Sequence, residues 1–408
     1  SNIASVNYFK DSVLEELKTI TEVPASTIET GWLKIYTSLD ATAQKSLEDS
    51  VYSYINDDTK IETAAIMMDP NTGEVLALIG GNNYSKSQFN RATKAKRQVG
   101  STMKPLLYYS ALESGFTSSS SFTSEKTTFT FSGGKSYSPK NYNDRYAEGP
   151  LSMEAAIAYS DNIYAVKTHL FLGENNLINT AKRLGITSNL SEVPSLALGT
   201  SEISLIEMTS AYSCFASLGY KTTPHFIKKI EDSKGNILYE NKEEKELLLN
   251  PSLTYILNEM LTSTYNKNFI NYNYPTLISL LPQITHKYAI KSGTTDTDLL
   301  IMGYNKNVVL GVWNGYDNNT KIDSSEYSHH KNIWIDTMES YFKQKEASWY
   351  EIPNNVVGVL TEPITGALAT DETQNKEMFF YLKGTEPSAE SNYKDLEAVF
   401  QEENNSNT

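Results

Sequence analysis

The placement of the strand-like runs limits this fold more than any other feature of the sequence. Ala64 to Met68 and Glu74 to Ile79 are apolar runs on either side of Asp69-Pro70-Asn71-Thr72-Gly73, which is turn chemistry, so they read as a hairpin. More than two hundred residues later come three further strand candidates: His286 to Gly293, Asp298 to Tyr304 and Val308 to Trp313. Helical signals fill the interval. Ser152 can cap a helix through Ala155, Ala156 and Tyr159, and Ser204-Leu205-Ile206-Glu207 is a capping box opening a helix that stops at Gly219. Asn250-Pro251 sets an N-cap before a proline at the first helical position, followed by Leu253, Ile256, Leu257, Met260 and Leu261 on one face. Strands at both ends with helices between predict an α+β fold: an antiparallel sheet with a helical insertion.

Ahead of the hairpin, Phe9, Val13, Leu14, Leu17 and Ile20 mark one helix, and the stretch from Asp40 to Ile55 marks another with Asp40 as N-cap. Trp32 to Thr37 reads as a strand between them. Residues 1–59 are therefore expected to form a linker or pedestal, and 60–388 the main domain. Thr117 to Gly134, rich in Ser and Thr, reads as an irregular excursion. Residues 389–408, polar and acidic, read as a disordered tail. No run approaches the length of a membrane span and no signal peptide opens the chain.

A net charge of -14 over 408 residues argues against nucleic acid or an anionic membrane surface as the main partner. The single cysteine, Cys214, excludes an intramolecular disulfide and reads as a buried structural thiol on a helix. The five histidines are scattered apart from His329-His330, which reads as a loop pair, so no metal or cofactor site is expected. The 27 tyrosines read as core and rim.

The chemistry centres on Ser101-Thr102-Met103-Lys104. A hydroxyl needs a nearby base to act as a nucleophile, and on a helix Lys104 at i+3 can reach the Ser101 oxygen. Gly100 precedes this segment and an apolar helix follows, placing Ser101 in a first turn where the helix dipole favours a developing alkoxide. Spacing alone does not select it, because Ser132, Ser328, Ser340 and Ser391 also have Lys three residues on. Two further motifs follow in order. Ser160-Asp161-Asn162 ends a predicted helix, and Lys291-Ser292-Gly293-Thr294 lies on a predicted strand where Gly293 lets a substrate backbone come close.

These three motifs in this order resemble those of serine β-lactamases and penicillin-binding proteins. The flanks resemble class A penicillin-binding proteins in particular: Asp69 to Ala77, Phe89-Asn90-Arg91-Ala92-Thr93, Arg97-Gln98-Val99-Gly100, Leu198-Gly199, Glu207-Met208, Gly311-Val312-Trp313 with Gly315-Tyr316-Asp317, and Lys383-Gly384-Thr385-Glu386-Pro387. The resemblance covers roughly residues 30 to 388. It implies a penicillin-binding transpeptidase fold, with an antiparallel sheet of about five strands, helices on both faces and a helical subdomain.

The resemblance also implies a D,D-transpeptidase that cross-links peptidoglycan stem peptides and is acylated by β-lactams. Ser101 would attack the D-Ala-D-Ala amide and Lys104 would take its proton, its pKa lowered by burial and by the Lys291 cation. Ser160 would relay the proton to the leaving nitrogen, and Asn162 would hold the donor amide. Lys291 would supply positive potential, with the Ser292 and Thr294 hydroxyls on the terminal carboxylate beside Gly293. The backbone N–H groups of Ser101 and Thr294 would form the oxyanion hole. Leu33 to Asp40 resembles the linker after a glycosyltransferase domain. That domain and a membrane anchor are therefore expected upstream, at the extracytoplasmic face of a Gram-positive cell, where other cell-wall synthesis proteins are expected as partners.

Four positions depart from the family pattern: Val99 for Pro, Met103 for Phe, Ile290 for Gly and Leu300 for Trp. The segment from Tyr265 to His286 also lacks a usual Gly-Thr-Gly-like stretch. These departures bear on β-lactam affinity and acceptor preference more than on reaction type. The alternatives are a D,D-carboxypeptidase, a serine β-lactamase with Glu174 or Glu202 activating water, and a non-catalytic β-lactam sensor or scaffold.

Overall fold

The computed structural model describes residues 3–389 and 394–406, so Ser391 lies outside the described residues. Its centre is a five-stranded sheet in the spatial order Ala289–Thr294, Asp298–Tyr304, Val309–Gly315, Glu62–Met68, Val75–Ile79, with every neighbouring pair antiparallel. The sheet's earliest and latest strands in chain order meet where Glu62–Met68 pairs with Val309–Gly315. Both faces are covered, so the strands carry apolar residues throughout and sort them between two cores. Ala64, Ile66, Met68, Leu300, Met302 and Tyr304 face the larger core, while Ala65, Met67, Leu299, Ile301, Leu310 and Val312 face the smaller. Helices Ala41–Tyr54 and His329–Tyr341 close the smaller core, and helix Leu205–Ala216 lies on the opposite face.

A bulge adjusts the hairpin. Met67 pairs with Ala77 and Met68 with Val75, leaving Leu76 unpaired in the ladder. The extra residue reverses the side-chain alternation, so Leu76 and Ala77 both enter the smaller core. The Leu76 carbonyl accepts the Asp40 N–H at 2.8 Å, and the Asp40 side chain caps the helix that packs beneath.

Several expectations need correction. The 1–59 segment is not set apart in the packing. Its helix Ile3–Leu17 buries Tyr8, Phe9, Val13 and Leu17 in the larger core, and strand Lys34–Thr37 pairs with Ile227–Glu231. The Thr117–Gly134 excursion contains strand Ser121–Ser124, paired with Gly149–Ser152, and the short pair Phe129–Thr130 with Ser136–Tyr137. His329 and His330 open a helix and do not form a loop pair, because Ile333, Trp334 and Met338 bury one side of the segment.

The tail is also ordered where it is described. Residues 397–406 are helical, Leu396 and Phe400 are buried, and Lys167 Nζ lies 2.8 Å from the Glu397 carboxylate. Two apolar residues at i and i+4 suffice to dock it, although the average composition of the stretch is acidic. Cys214 is buried within helix Leu205–Ala216, as expected. Among the described residues no helix is long and apolar enough to cross a membrane.

Candidate active site

Ser101 sits in the 3-10 turn Gly100–Met103, which runs directly into helix Lys104–Glu113. Backbone approaches too close for a side chain hold this turn. Gly100 has φ +58° and donates its N–H to the Gly199 carbonyl at 3.1 Å. A Cβ on Gly199 would lie 1.9 Å from the Gly100 oxygen, so the loop carrying Leu198-Gly199 is pressed flat against the turn. On the other side a Cβ on Gly293 would lie 2.7 Å from the Val99 oxygen and 3.0 Å from the Ser101 nitrogen. Gly293 therefore admits the chain's own Ser101 turn, where the sequence suggested room for a substrate backbone. That contact brings the Ser101 segment and the Lys291–Thr294 strand edge together.

The segments leading to the turn are fastened by arginines. Arg97 donates to Asp298 at 2.6 Å and to the Tyr316 and Thr297 carbonyls, while its guanidinium stacks 5.0 Å from the Trp313 ring centroid. The Trp313 Nε1–H donates to the same Asp298 carboxylate at 2.8 Å. Arg91 makes a bidentate pair with Asp317, both bonds at 2.7 Å. The residues Arg91, Arg97, Trp313 and Asp317 thus act as two clamps between the Ser101 approach and the last core strand.

The second motif turns a helix end into the cleft. Ser160 is the C-cap of helix Met153–Tyr159 with left-handed backbone, φ +54° and ψ +49°. Asp161 then caps helix Asn162–Leu172 by accepting the Tyr164 N–H at 2.8 Å. Its other carboxylate oxygen accepts from Ser124 Oγ at 2.6 Å and Asn141 Nδ2 at 2.8 Å. Asn141 Oδ1 in turn accepts the Asn162 N–H at 2.8 Å. Asn141 and Ser124 hold the motif in place, yet nothing in their local sequence announces this.

Lys104 and Lys291 are fully buried and converge on one hydroxyl. Lys104 Nζ donates to the Ser160 carbonyl at 2.9 Å, to Ser160 Oγ at 3.0 Å and to Asn162 Oδ1 at 2.7 Å. Lys291 Nζ donates to Ser160 Oγ at 3.0 Å and to the Ser292 carbonyl at 2.9 Å. Lys104 thus spends its hydrogen bonds on the Ser160 motif and makes none to Ser101, contrary to simple i,i+3 reasoning. A buried amine without a carboxylate partner needs acceptors, and this helix junction supplies three. Burial pushes Lys104 down to about 7, partly opposed by the Asp161 charge. Lys291 is held well below the ordinary lysine range by burial, then by the charges of Lys104 and Lys331. Two amines sharing one hydroxyl cannot both hold a full charge cheaply, so their protonation is coupled.

These groups border a cleft of about 460 Å³ lined by Ser101, Ser160, Asn162, Ser292 and Thr294. The hydroxyls of Ser101, Ser292 and Thr294 have no hydrogen-bond partner among the described residues and are free to receive a ligand. Asn162 is less free, because its Nδ2 donates to the Lys140 carbonyl at 2.7 Å while Oδ1 holds Lys104. Lys140, Arg145 and Lys331 also line the cleft, and among the described residues no Asp or Glu does. Glu174 and Glu202 are not part of its wall. Lys331 was visible only as the end of an unrelated Ser-x-x-Lys. It reaches the site because helix His329–Tyr341 starts there, and burial lowers its pKa. Tyr142, Tyr274 and Tyr327 complete the rim, Tyr159 reaches the cleft from the core, and Tyr108, Tyr164, Tyr212 and Tyr304 are wholly core. The departures Val99, Met103, Ile290 and Leu300 are all buried in the two cores behind the cleft.

Residues 63–332 match the family described as the penicillin binding protein transpeptidase domain. The chain belongs to that family. It is 42% identical over 383 residues to penicillin-binding protein 2D of Bacillus subtilis strain 168, covering 93% of this chain and 55% of that protein. It is 36% identical over 336 residues to penicillin-binding protein 1A of Aquifex aeolicus, covering 80% of this chain and 44% of the relative. The chain thus spans about half the length of the curated relatives it matches. Among solved structures, penicillin-binding protein 1A from Haemophilus influenzae superposes with a TM-score of 0.81 at 20% identity, over 94% of this chain and 76% of that one. PonA1 from Mycobacterium tuberculosis in complex with penicillin V gives 0.71 at 22% identity, over 86% and 96%. These structural likenesses bear on the fold, which is the transpeptidase fold expected from the motifs.

Proposed function

We propose that this chain is a serine D,D-transpeptidase that cross-links peptidoglycan stem peptides through an acyl-enzyme on Ser101 and is blocked by β-lactams. The observation that carries the reading is the pair of buried amines meeting at Ser160 Oγ in the cleft that Ser101 lines. Burial of these amines brings the neutral form of Lys104 within reach near neutral pH, which a serine nucleophile requires.

In this reading Ser101 Oγ attacks the carbonyl of the D-Ala-D-Ala amide as Lys104 takes its proton. The Ser101 and Thr294 N–H groups receive the negative charge on the carbonyl oxygen. The proton then passes from Lys104 through Ser160 to the departing nitrogen, D-alanine leaves, and an ester remains on Ser101. The amine of a second stem peptide attacks that ester, forming the cross-link and returning the proton to Ser101 Oγ through the same groups. Lys291 contributes positive potential, and the Ser292 and Thr294 hydroxyls take the terminal carboxylate of the donor. Asn162 acts first as the anchor of Lys104 and, if the Lys140 contact gives way, as a ligand for the donor amide. The site of action in this reading is the extracytoplasmic face of the bacterial membrane.

The acid-free cationic lining favours a ligand ending in a carboxylate and disfavours water activation by a glutamate, the step a β-lactamase needs. Incubation with penicillin followed by intact-mass measurement over hours tests the proposal. A long-lived adduct of one penicillin, lost in Ser101→Ala, is the expected result. Rapid turnover with unmodified protein recovered would transfer the assignment to a β-lactamase, and no adduct would favour a scaffold.

Lys331 faces the cleft beside Tyr327, and among the described residues no carboxylate forms an ion pair with it. Lys331→Ala is expected to weaken apparent donor affinity by about three- to tenfold with a smaller change in the acylation step, since it removes uniform attraction for an anionic substrate. Acylation rates at varied penicillin concentration separate the two constants. An unchanged concentration dependence would remove Lys331 from the binding site.

A further inference from the structure

We propose that Glu74, His225 and Glu243 form a zinc site that pins the segment around 223–243 to the hairpin turn at 69–75. One potential ligand atom from each residue lies within 4.8 Å of the others. The site shares no residue with the cleft and does not rest on the transpeptidase reading.

Two acids near a surface would carry no such conclusion, but the histidine is unusual. His225 is 3% exposed, and its Nδ1 lies 3.0 Å from the Thr223 carbonyl. A carbonyl can only accept, so Nδ1 carries the proton and the Nε2 lone pair is the free one. Nε2 is buried, has no hydrogen-bond partner among the described residues, and faces Glu243 Oε1 at 3.6 Å. A metal-ligating histidine is typically oriented in this way, by a second hydrogen bond to a backbone carbonyl.

The backbone is arranged to hold the group. His225 N–H donates to the Gly73 carbonyl at 3.0 Å and Val75 N–H to the His225 carbonyl at 2.9 Å, fixing residues 74 and 225 side by side. Gly73 has φ +84°, and a Cβ there would lie 2.2 Å from the same Thr223 oxygen that orients His225. The third ligand, Glu243, comes from a residue with φ +49° whose N–H is held by the Asn241 side chain at 2.7 Å. The Glu74 and Glu243 carboxylates are brought close together at this point, a crowding of two acids that a divalent cation relieves. Lys228 Nζ pairs with Glu74 Oε1 at 3.6 Å, longer than a hydrogen bond, so a bound cation would replace this ammonium beside Glu74.

One imidazole and two carboxylates suit zinc, which commonly takes a water as its fourth ligand. Magnesium and calcium prefer oxygen-only sets. The ligands come from the hairpin and from the region that pairs with strand Lys34–Thr37, so the ion would fasten the sheet formed by Lys34–Thr37, Ile227–Glu231 and Ile237–Glu240 to the central one.

The test uses the whole chain stripped with chelator, then titrated with zinc chloride by calorimetry and followed by thermal melting, with magnesium and calcium chloride as controls. One zinc per chain and a raised melting temperature are expected, with no effect of the other two ions. Glu243→Gln, a change at a half-exposed loop residue, should weaken zinc binding roughly tenfold or more. Its rate of penicillin adduct formation on Ser101 should be unchanged, which separates this inference from the proposed function. His225→Ala should abolish binding, and Glu243→Gln carries the test if that variant does not fold. Absence of binding at zinc concentrations on the order of 100 μM, or equal binding by Glu243→Gln and the parent, would overturn the site.

Discussion

Lys104→Ala is expected to slow acylation of Ser101 by penicillin by about 10²–10⁴-fold, the range that a positioned general base contributes. The parent enzyme should show acylation that rises with pH and levels off above about 7, because burial brings the free amine within reach there instead of near 10.5. The sign follows from the role. Below that value Lys104 holds its proton and cannot take another from Ser101. The midpoint belongs to the Lys104–Lys291 pair, so Lys291→Ala should move the profile as well as lower its plateau. Stopped-flow acylation with a chromogenic β-lactam measures both. Lys104→Met, which keeps the volume of the buried chain, guards against reading a cavity as lost chemistry. A rate within about tenfold of the parent in both variants would remove Lys104 from the role of base.

Gly199→Ala is the second large effect, at a residue with no chemistry of its own. The new methyl would stand 1.9 Å from the Gly100 oxygen and 2.4 Å from its nitrogen, at a backbone φ of +74°. Neither neighbour is a flexible side chain, so the Ser101 turn itself must move. A displacement of about 1 Å at a nucleophile costs on the order of 10²-fold in rate. The expected outcome is that loss in acylation together with a lowered melting temperature. Gly149→Ala, with nothing within 4 Å of its Cβ, serves as a comparison that should leave acylation near the parent value. Equal behaviour of the two variants would show that the Gly199 contact does not hold the turn.

Much of the site was legible because its residues announce themselves by type. A lysine three residues after a serine, Ser160-Asp161-Asn162, and Lys291 to Thr294 are short local strings. The structure brings all three to one cleft. The strands were legible because central strands buried on both faces are continuous apolar runs. What escaped was set by partners distant in sequence. Asn141 meets Asp161 only through a loop, Lys331 enters from a helix on the far side of the sheet, and Gly293 is explained by Ser101 and not by a ligand. The tail escaped for another reason: Leu396 and Phe400 are only two apolar residues in an acidic stretch, and burying them depends on a surface the local sequence does not reveal.

The pairing of Glu62–Met68 with Val309–Gly315 also sets an order of events during synthesis. The bulged hairpin emerges early, but its free edge has no neighbour until about 240 residues more have been made. Through that interval an apolar strand with open backbone groups must wait, and the helices of the intervening segment can fold locally before the sheet closes. Chains stopped before residue 315 would therefore be caught with the sheet edge unfilled. The last residues to dock, Leu396 and Phe400, then close the core from outside through Lys167 and Glu397. Folding of this protein should be paced by a late closure between the earliest and latest strands of the central sheet, with the candidate cleft appearing only when that closure is complete.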